Sequence, residues 1–183
     1  MNQETGRENS TNNASGTSDA TSREKGLREY LMLIRKAVDA PLSAEEIGAL
    51  NSAIVGYQLG GYDVLLGTRF VEVGPRKIVA ELAIDATHLQ PWGLANGGVY
   101  CSLGETAASV AGYIAAGAGP AVVGVNNNTD FYRSARAGDT VVSVATPVHL
   151  GRTMQVWQVE HSRKSDGKAL ARTNLRVAVL SES

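Results

Sequence analysis

Gly97-Gly98 and Glu105 are residues whose types and spacing can do chemistry together. Glycines before an apolar segment let a ligand approach the main chain, and free N–H groups at a helix start carry partial positive charge. Donors so placed suit a developing oxyanion. Glu105 follows about two helical turns later, and the next charged residue is Asp130. A carboxylate in so apolar a run is costly unless it is protonated or supplied with donors, which makes it a functional candidate. Cys101, Glu105 and Ser109 recur every fourth residue and share one helix face. Gln90, upstream, is an uncharged donor and acceptor able to hold a carbonyl or a water. Taken singly, each has an ordinary structural role. Gly-Gly before a helix is usually a turn, and Ser109 is a small helix-compatible residue. Cys101 has no basic cluster beside it to make it a nucleophile.

The elements that must position these groups follow from periodicity. Residues 98–117 lack β alternation and are rich in Ala, which predicts a helix of about five turns, ended by Gly117, Gly119 and Pro120. Before it, residues 66–73 read as a strand, Gly74-Pro75-Arg76 as a turn, and residues 77–84 as a second strand with Ile78, Ala80, Leu82 and Ile84 on one face. Four strands are expected afterwards, over 121–133, 139–149, 152–163 and 168–180, with Ser165-Asp166-Gly167 as a hairpin turn. Upstream, residues 1–25 read as a leader without fixed structure and residues 26–60 as a helical extension. Leu27, Leu31, Ile34 and Val38 mark its first helix, ended by Pro41. A capping box at Ser43-Ala-Glu-Glu46 opens a second, through about Val55, and Gly60-Gly61 breaks the chain. Residues 61–183 then form one α+β domain, an antiparallel sheet wrapped around one long central helix. Small Ala and Gly residues would let the strands approach that helix closely.

Composition narrows the function classes. The chain has 183 residues, 43% of them apolar, a net charge of −1 and a pI near 6.3, which argues against a nucleic-acid binder held by bulk charge. A single cysteine excludes an intrachain disulfide and fits a reducing compartment, so a cytoplasmic protein is expected. The first residues show no signal-peptide pattern. Residues 107–125 are uncharged but dominated by Ala and Gly with Pro120 inside, so no membrane span is expected. His88, His149 and His161 are not at metal-ligand spacing, and no metal is expected.

The run Gln90-Pro-Trp-Gly-Leu-Ala-Asn-Gly-Gly98, then Glu105, resembles the Gln-Pro-x-Gly-x-x-His-Gly-Gly…Glu motif of hotdog-fold acyl-CoA thioesterases. It is most similar to the 1,4-dihydroxy-2-naphthoyl-CoA thioesterases and their proofreading relatives, with the phenylacetyl-CoA (PaaI-like) and 4-hydroxybenzoyl-CoA groups further off. The likeness continues through Ser109–Tyr113, Val122–Gly124, Arg133-Ser-Ala-Arg136-x-Gly138, Pro147–Gly151 and Gln155–Gln158, over roughly residues 60–180. It implies a hotdog fold and a homodimer, commonly doubled to a homotetramer, with each active site between two subunits. It implies hydrolysis of an acyl-CoA with an aromatic or other bulky acyl group, 1,4-dihydroxy-2-naphthoyl-CoA among the candidates. Fatty or phenylacetyl-CoA hydrolysis and a non-catalytic acyl-CoA-binding domain are the alternatives. No cofactor is implied, coenzyme A being part of the substrate. By the resemblance Glu105 is the catalytic carboxylate, as nucleophile or as general base. Gly97 donates its N–H to the oxyanion, Gln90 orients the thioester or water, and Ser109 lies near the nucleophile. The CoA-contacting segments fall on Gly124, on Phe131, Tyr132, Arg133 and Ser134, and on His149, Leu150, Gly151 and Arg152. Asn96 stands where the family usually has His. It cannot change charge near neutral pH, so it implies altered loop support or substrate preference.

Overall fold

The computed structural model describes residues 15–180. Helix α1 spans Ser15–Lys36, α2 Ala44–Gly56 and α3 Gly61–Leu66. The first is longer than its apolar periodicity indicates. It takes in residues 15–25, expected to lack structure, while residues 1–14 of the expected leader lie outside the described residues. Ala20, Arg23, Glu24 and Lys25 are good helix formers, so propensity extends the helix where no apolar stripe announces it. At Gly26 α1 lies against the Tyr57 ring, and a Cβ there would fall 2.2 Å from a ring carbon. The capping box of α2 forms as its sequence indicates, with Glu46 N–H donating to Ser43 Oγ and Ser43 N–H to the Glu46 carboxylate. Lys36 at the end of α1 pairs with the same carboxylate.

Helix α3 replaces the expected break. Gly60 and Gly67 both adopt left-handed conformations (φ 66° and 79°) and bracket it. The run Val64-Leu65-Leu66 looks like the start of a strand, but β1 begins only at Arg69. One short apolar run is compatible with either state.

The sheet comprises β1 (Arg69–Gly74), β2 (Lys77–Ala83), β3 (Val122–Phe131), β4 (Thr140–Leu150), β5 (Met154–Arg163) and β6 (Ala169–Val179). All neighbours are antiparallel, in the order β1-β2-β4-β5-β6-β3. Helix α4 (Gly97–Ala115) lies on one face. Leu103, Ala107, Ala108, Ala111 and Ile114 are buried there with Trp157, Leu175, Val177 and Ile78. The expectation for its small residues holds. A Cβ at Gly104 would lie 2.6 Å from Thr173 of β6, so α4 sits on the strand at main-chain distance. Among the described residues β3 is paired on one edge only, with β6, and Val123 and Val125 on it are exposed. Among these residues, too, no helix is long and apolar enough to cross a membrane.

Candidate active site

Helix α4 starts where Asn96 leaves the extended chain (φ −64°, ψ 138°). Its Oδ1 accepts the Gly98 N–H at 2.8 Å, and its carbonyl accepts the Val99 N–H at 3.0 Å. That leaves the Gly97 N–H with no acceptor among the described residues. The glycine pair, read as two free donors, therefore supplies one. Asn96 is spent as a helix cap, a task its short amide suits. A Cβ on Gly97 would come within 2.9 Å of the Phe131 ring. Gln90, Gly97 and Phe131–Ser134 line a shared cleft of about 400 Å³. Gln90 Oε1 accepts from Trp92 Nε1 at 2.6 Å, so its amide NH2 is what it has left to offer a ligand.

Glu105 is half-buried, on the flank of α4 that faces β3. Asn127 Nδ2 donates to its Oε2 at 3.0 Å and also to the Cys101 carbonyl at 3.1 Å. Ser109 Oγ lies 3.4 Å from Oε1. The β3 main chain passes directly beneath. A Cβ on Gly124 would lie 2.2 Å from Glu105 Oε1, beside the register shift between Gly124 and Asn126. Gly124, assigned to CoA contact by resemblance, is thus placed against the carboxylate. The burial cost expected for Glu105 is met by partial exposure and by an amide donor.

Position along the helix decides how these parts combine. Gly97 and Glu105 are eight residues apart on α4, so their main-chain positions differ by about 12 Å along its axis. One reacting carbonyl has to sit about 3 Å from both a nucleophile or base and an oxyanion donor. Gly97 and Glu105 therefore sit at different levels of α4, and their main-chain atoms do not meet at one point. The assigned CoA segments separate in the same way. Phe131 pairs with Ala171, whereas Leu150, Gln155, Val177 and Gly124 form one row across the sheet. Ala171 and Val177 are about 20 Å apart along β6. The chain therefore carries two groups: Gln90, Asn96, Gly97 and Phe131–Ser134 at one end, and Glu105, Ser109, Gly124 and the His149–Arg152 segment at the end of β4 toward the other. Arg133 Nη1 already donates to the Ala169 carbonyl at 3.0 Å, while Arg152 is exposed.

The family model of the thioesterase superfamily matches residues 93–170. The 1,4-dihydroxy-2-naphthoyl-CoA hydrolase of Escherichia coli K12 is 36% identical over 132 residues, 72% of this chain and 93% of that protein. This chain belongs to the thioesterase superfamily. A proofreading thioesterase, EntH, of Cronobacter turicensis is 34% identical over 61% of this chain and 77% of its own length. A thioesterase structure from Haemophilus influenzae superposes with a TM-score of 0.66 at 31% identity, covering 74% of this chain and 90% of that one. The antiparallel sheet around α4 is the hotdog fold of these thioesterases.

What the sequence reading missed in this thioesterase is Asn127, the donor that meets Glu105. The run Asn126-Asn127-Asn128-Thr129 inside a strand was its visible signal, since three amides are out of place in a purely structural strand.

Proposed function

We propose that this thioesterase hydrolyses the thioester of an acyl-CoA with an aromatic or other bulky acyl group, Glu105 acting as catalytic carboxylate and the Gly97 N–H as oxyanion donor. The observation that carries the reading is that α4 bears both an unclaimed N–H at its start and, two turns on, a carboxylate held by the Asn127 amide of β3. In either form of the reaction, oxygen adds to the carbonyl carbon and negative charge moves onto its oxygen. The C–S bond then breaks and the CoA thiolate leaves and is protonated. As nucleophile, Glu105 forms an anhydride that water opens; as general base, it takes a proton from the attacking water. The reading invokes no cofactor.

Each centre takes its Glu105 from one protomer and its Gly97 from the partner. The spacing on α4 supports this, and so does β3. Two copies joined antiparallel along the free β3 edges would set the Gly124 end of one strand against the Phe131 end of the other. Doubling of that dimer into a tetramer belongs to the same reading and is checked by light scattering.

A cavity of about 580 Å³ between the helical extension and α4 supports a bulky acyl group. Leu27, Tyr30, Ile54, Phe70 and Val110 give it apolar walls, and Thr106, next to Glu105, lies on its α4 side. Thr106 Oγ1 donates to Asp63 at 2.6 Å. Burial pushes the Asp63 carboxyl up, against that hydrogen bond. Burial, then the charges of Asp63 and Tyr113, push the Tyr30 hydroxyl up to about 12, so it stays a donor at neutral pH. Thr68, on the same cavity, has a buried Oγ1 without a partner among the described residues. An acyl group carrying a hydroxyl fits such a lining better than a plain fatty chain.

Thiol release from a panel of naphthoyl-, benzoyl-, phenylacetyl- and fatty acyl-CoAs, ranked by kcat/KM, tests the substrate class. Glu105→Gln is expected to lower kcat by about 10³-fold or more while the protein stays folded. Turnover near the wild-type rate in that variant rejects the catalytic assignment. Tight saturable binding without release by the wild type turns the reading toward a binding domain.

A further inference from the structure

A row of polar side chains crosses the sheet beneath α4, from a buried histidine to Glu105. His161 on β5 is fully buried, as are Ser143 on β4 and Thr173 on β6. His161 Nδ1 lies 2.8 Å from Ser143 Oγ, and its Nε2 lies 3.0 Å from Thr173 Oγ1. Thr173 Oγ1 is 2.7 Å from Thr129 Oγ1 on β3. Thr129 in turn donates to Asn127 Oδ1 at 3.1 Å, and Asn127 Nδ2 reaches Glu105 Oε2.

The direction of every bond in this row is fixed from its Glu105 end. Asn127 faces two acceptors, the Glu105 carboxylate and the Cys101 carbonyl, so its NH2 points at both and its Oδ1 must accept. Thr129 therefore donates to it, and the Thr129 oxygen is left to accept from Thr173. Thr173, whose one hydroxyl hydrogen points at Thr129, accepts from His161, which must carry hydrogen on Nε2. Nδ1 is then the acceptor and takes the Ser143 hydroxyl. Burial pulls the His161 pKa down to about 4, so the ring is neutral and holds one such tautomer. The row is also clamped from above. A Cβ on Gly104 would overlap Thr173, and Tyr100 stacks edge-on against His161 with centroids 5.8 Å apart.

We infer that Asn127 is the positioning residue for Glu105, and that the Thr129–Thr173–His161–Ser143 row locks its amide so that a donor, never an acceptor, meets the carboxylate. A flipped amide would turn a carbonyl oxygen toward an anion. The inference rests on Glu105 being the catalytic carboxylate and adds the group that orients it. Asn127 touches Glu105 alone of the reacting groups; the other four residues act through it.

The test compares Thr129→Val with Thr129→Ser, which respectively remove and keep the hydroxyl at nearly constant shape. Steady-state kcat and KM are measured with the best substrate of the acyl-CoA panel, with melting temperature and solution mass as folding controls. Loss of the lock is expected to lower kcat on the order of tenfold in Thr129→Val, with KM within about twofold, and Thr129→Ser is expected to recover most of the rate. Thr173→Val, which touches neither Asn127 nor Glu105, is expected to repeat the kcat defect. A Thr129→Val enzyme with unchanged kcat overturns the inference, as does Thr129→Ser failing alongside it. Glu105→Gln, run in parallel, separates the two levels. If it keeps wild-type turnover, the catalytic assignment falls; if it is inactive while Thr129→Val is normal, the lock alone falls.

Discussion

At its first turn α4 offers a main-chain N–H, left free because the Asn96 side chain caps the next amide instead. Two turns later it offers a carboxylate held by residues from β3, which depend in turn on β6, β5 and β4. The first device is built from backbone and one local cap. The second is built from side chains brought together by the whole sheet. Backbone donors tolerate most substitutions around them, whereas a side-chain row is only as good as its weakest hydrogen bond. The two ends should therefore fail differently when disturbed.

The largest effect comes from separating them. Proline is tolerated at the first helical position, Asn96 already has extended geometry, and Gly97→Pro deletes the one N–H at issue. It is expected to lower kcat by about 10²- to 10³-fold, with the Phe131 ring swinging aside. If each centre draws on two protomers, co-refolding Gly97→Pro with inactive Glu105→Gln regenerates one intact centre in each mixed dimer. Activity should then return to about a quarter of the wild-type level. No recovery, with mixed dimers verified by mass, shows that both groups act within one chain.

How much of this was legible beforehand differs between the two ends. The strand–helix–strand order, the turn at Asp166-Gly167 and the lone Glu105 follow from local pattern, which a single sequence displays. The spacing of Gly97 and Glu105 was legible too, yet its consequence needs the helix as an object with length. The amides of Asn126–Asn128 stood out in a strand, but which of them meets Glu105 did not, because that is decided by pairing across strands. Thr129 faces Thr173 forty-four residues away, and nothing local marks that register. Helix α3 was missed for the opposite reason, since its six residues are too few for a periodicity to declare itself.

Acid should damage the side-chain end more than the backbone end. His161 has its folded-state pKa lowered to about 4 by burial, against about 6.5 when unfolded. Between those values the unfolded chain binds a proton that the folded one refuses. The stabilisation is complete above the unfolded value and is lost as pH falls toward the folded one. It amounts to about 3 kcal/mol. Urea midpoints at pH 7.5 and 4.5 measure it, and His161→Gln isolates it, since that variant should show a shallower loss over the same interval. An identical pH response in the two proteins would remove His161 as the cause.

The contact between the carboxylate and the β3 main chain comes next in size. In Gly124→Ala the new methyl group meets Glu105 Oε1, the far end of a flexible side chain. Folding should suffer little, because the carboxylate can move. Catalysis should suffer about 10- to 30-fold, because moving it breaks the alignment with Asn127. A melting temperature within about 2 °C of wild type together with that loss distinguishes misplacement from unfolding.

The smallest effect tests the backbone end itself, by making stability and rate move in opposite directions. Asn96→Asp keeps the capping oxygen and adds a full negative charge at the helix start. That charge favours the fold by about 0.3–1 kcal/mol through the helix dipole. It also stands one residue from the N–H proposed to hold an oxyanion. Two like charges at about 4 Å in a largely aqueous cleft repel by about 1 kcal/mol, roughly a fivefold loss of kcat. A higher melting temperature with a lower kcat is the expected pair. If kcat is unchanged, the oxyanion does not form at the Gly97 amide, and the chemistry of this thioesterase lies wholly with Glu105 and the side chains that hold it.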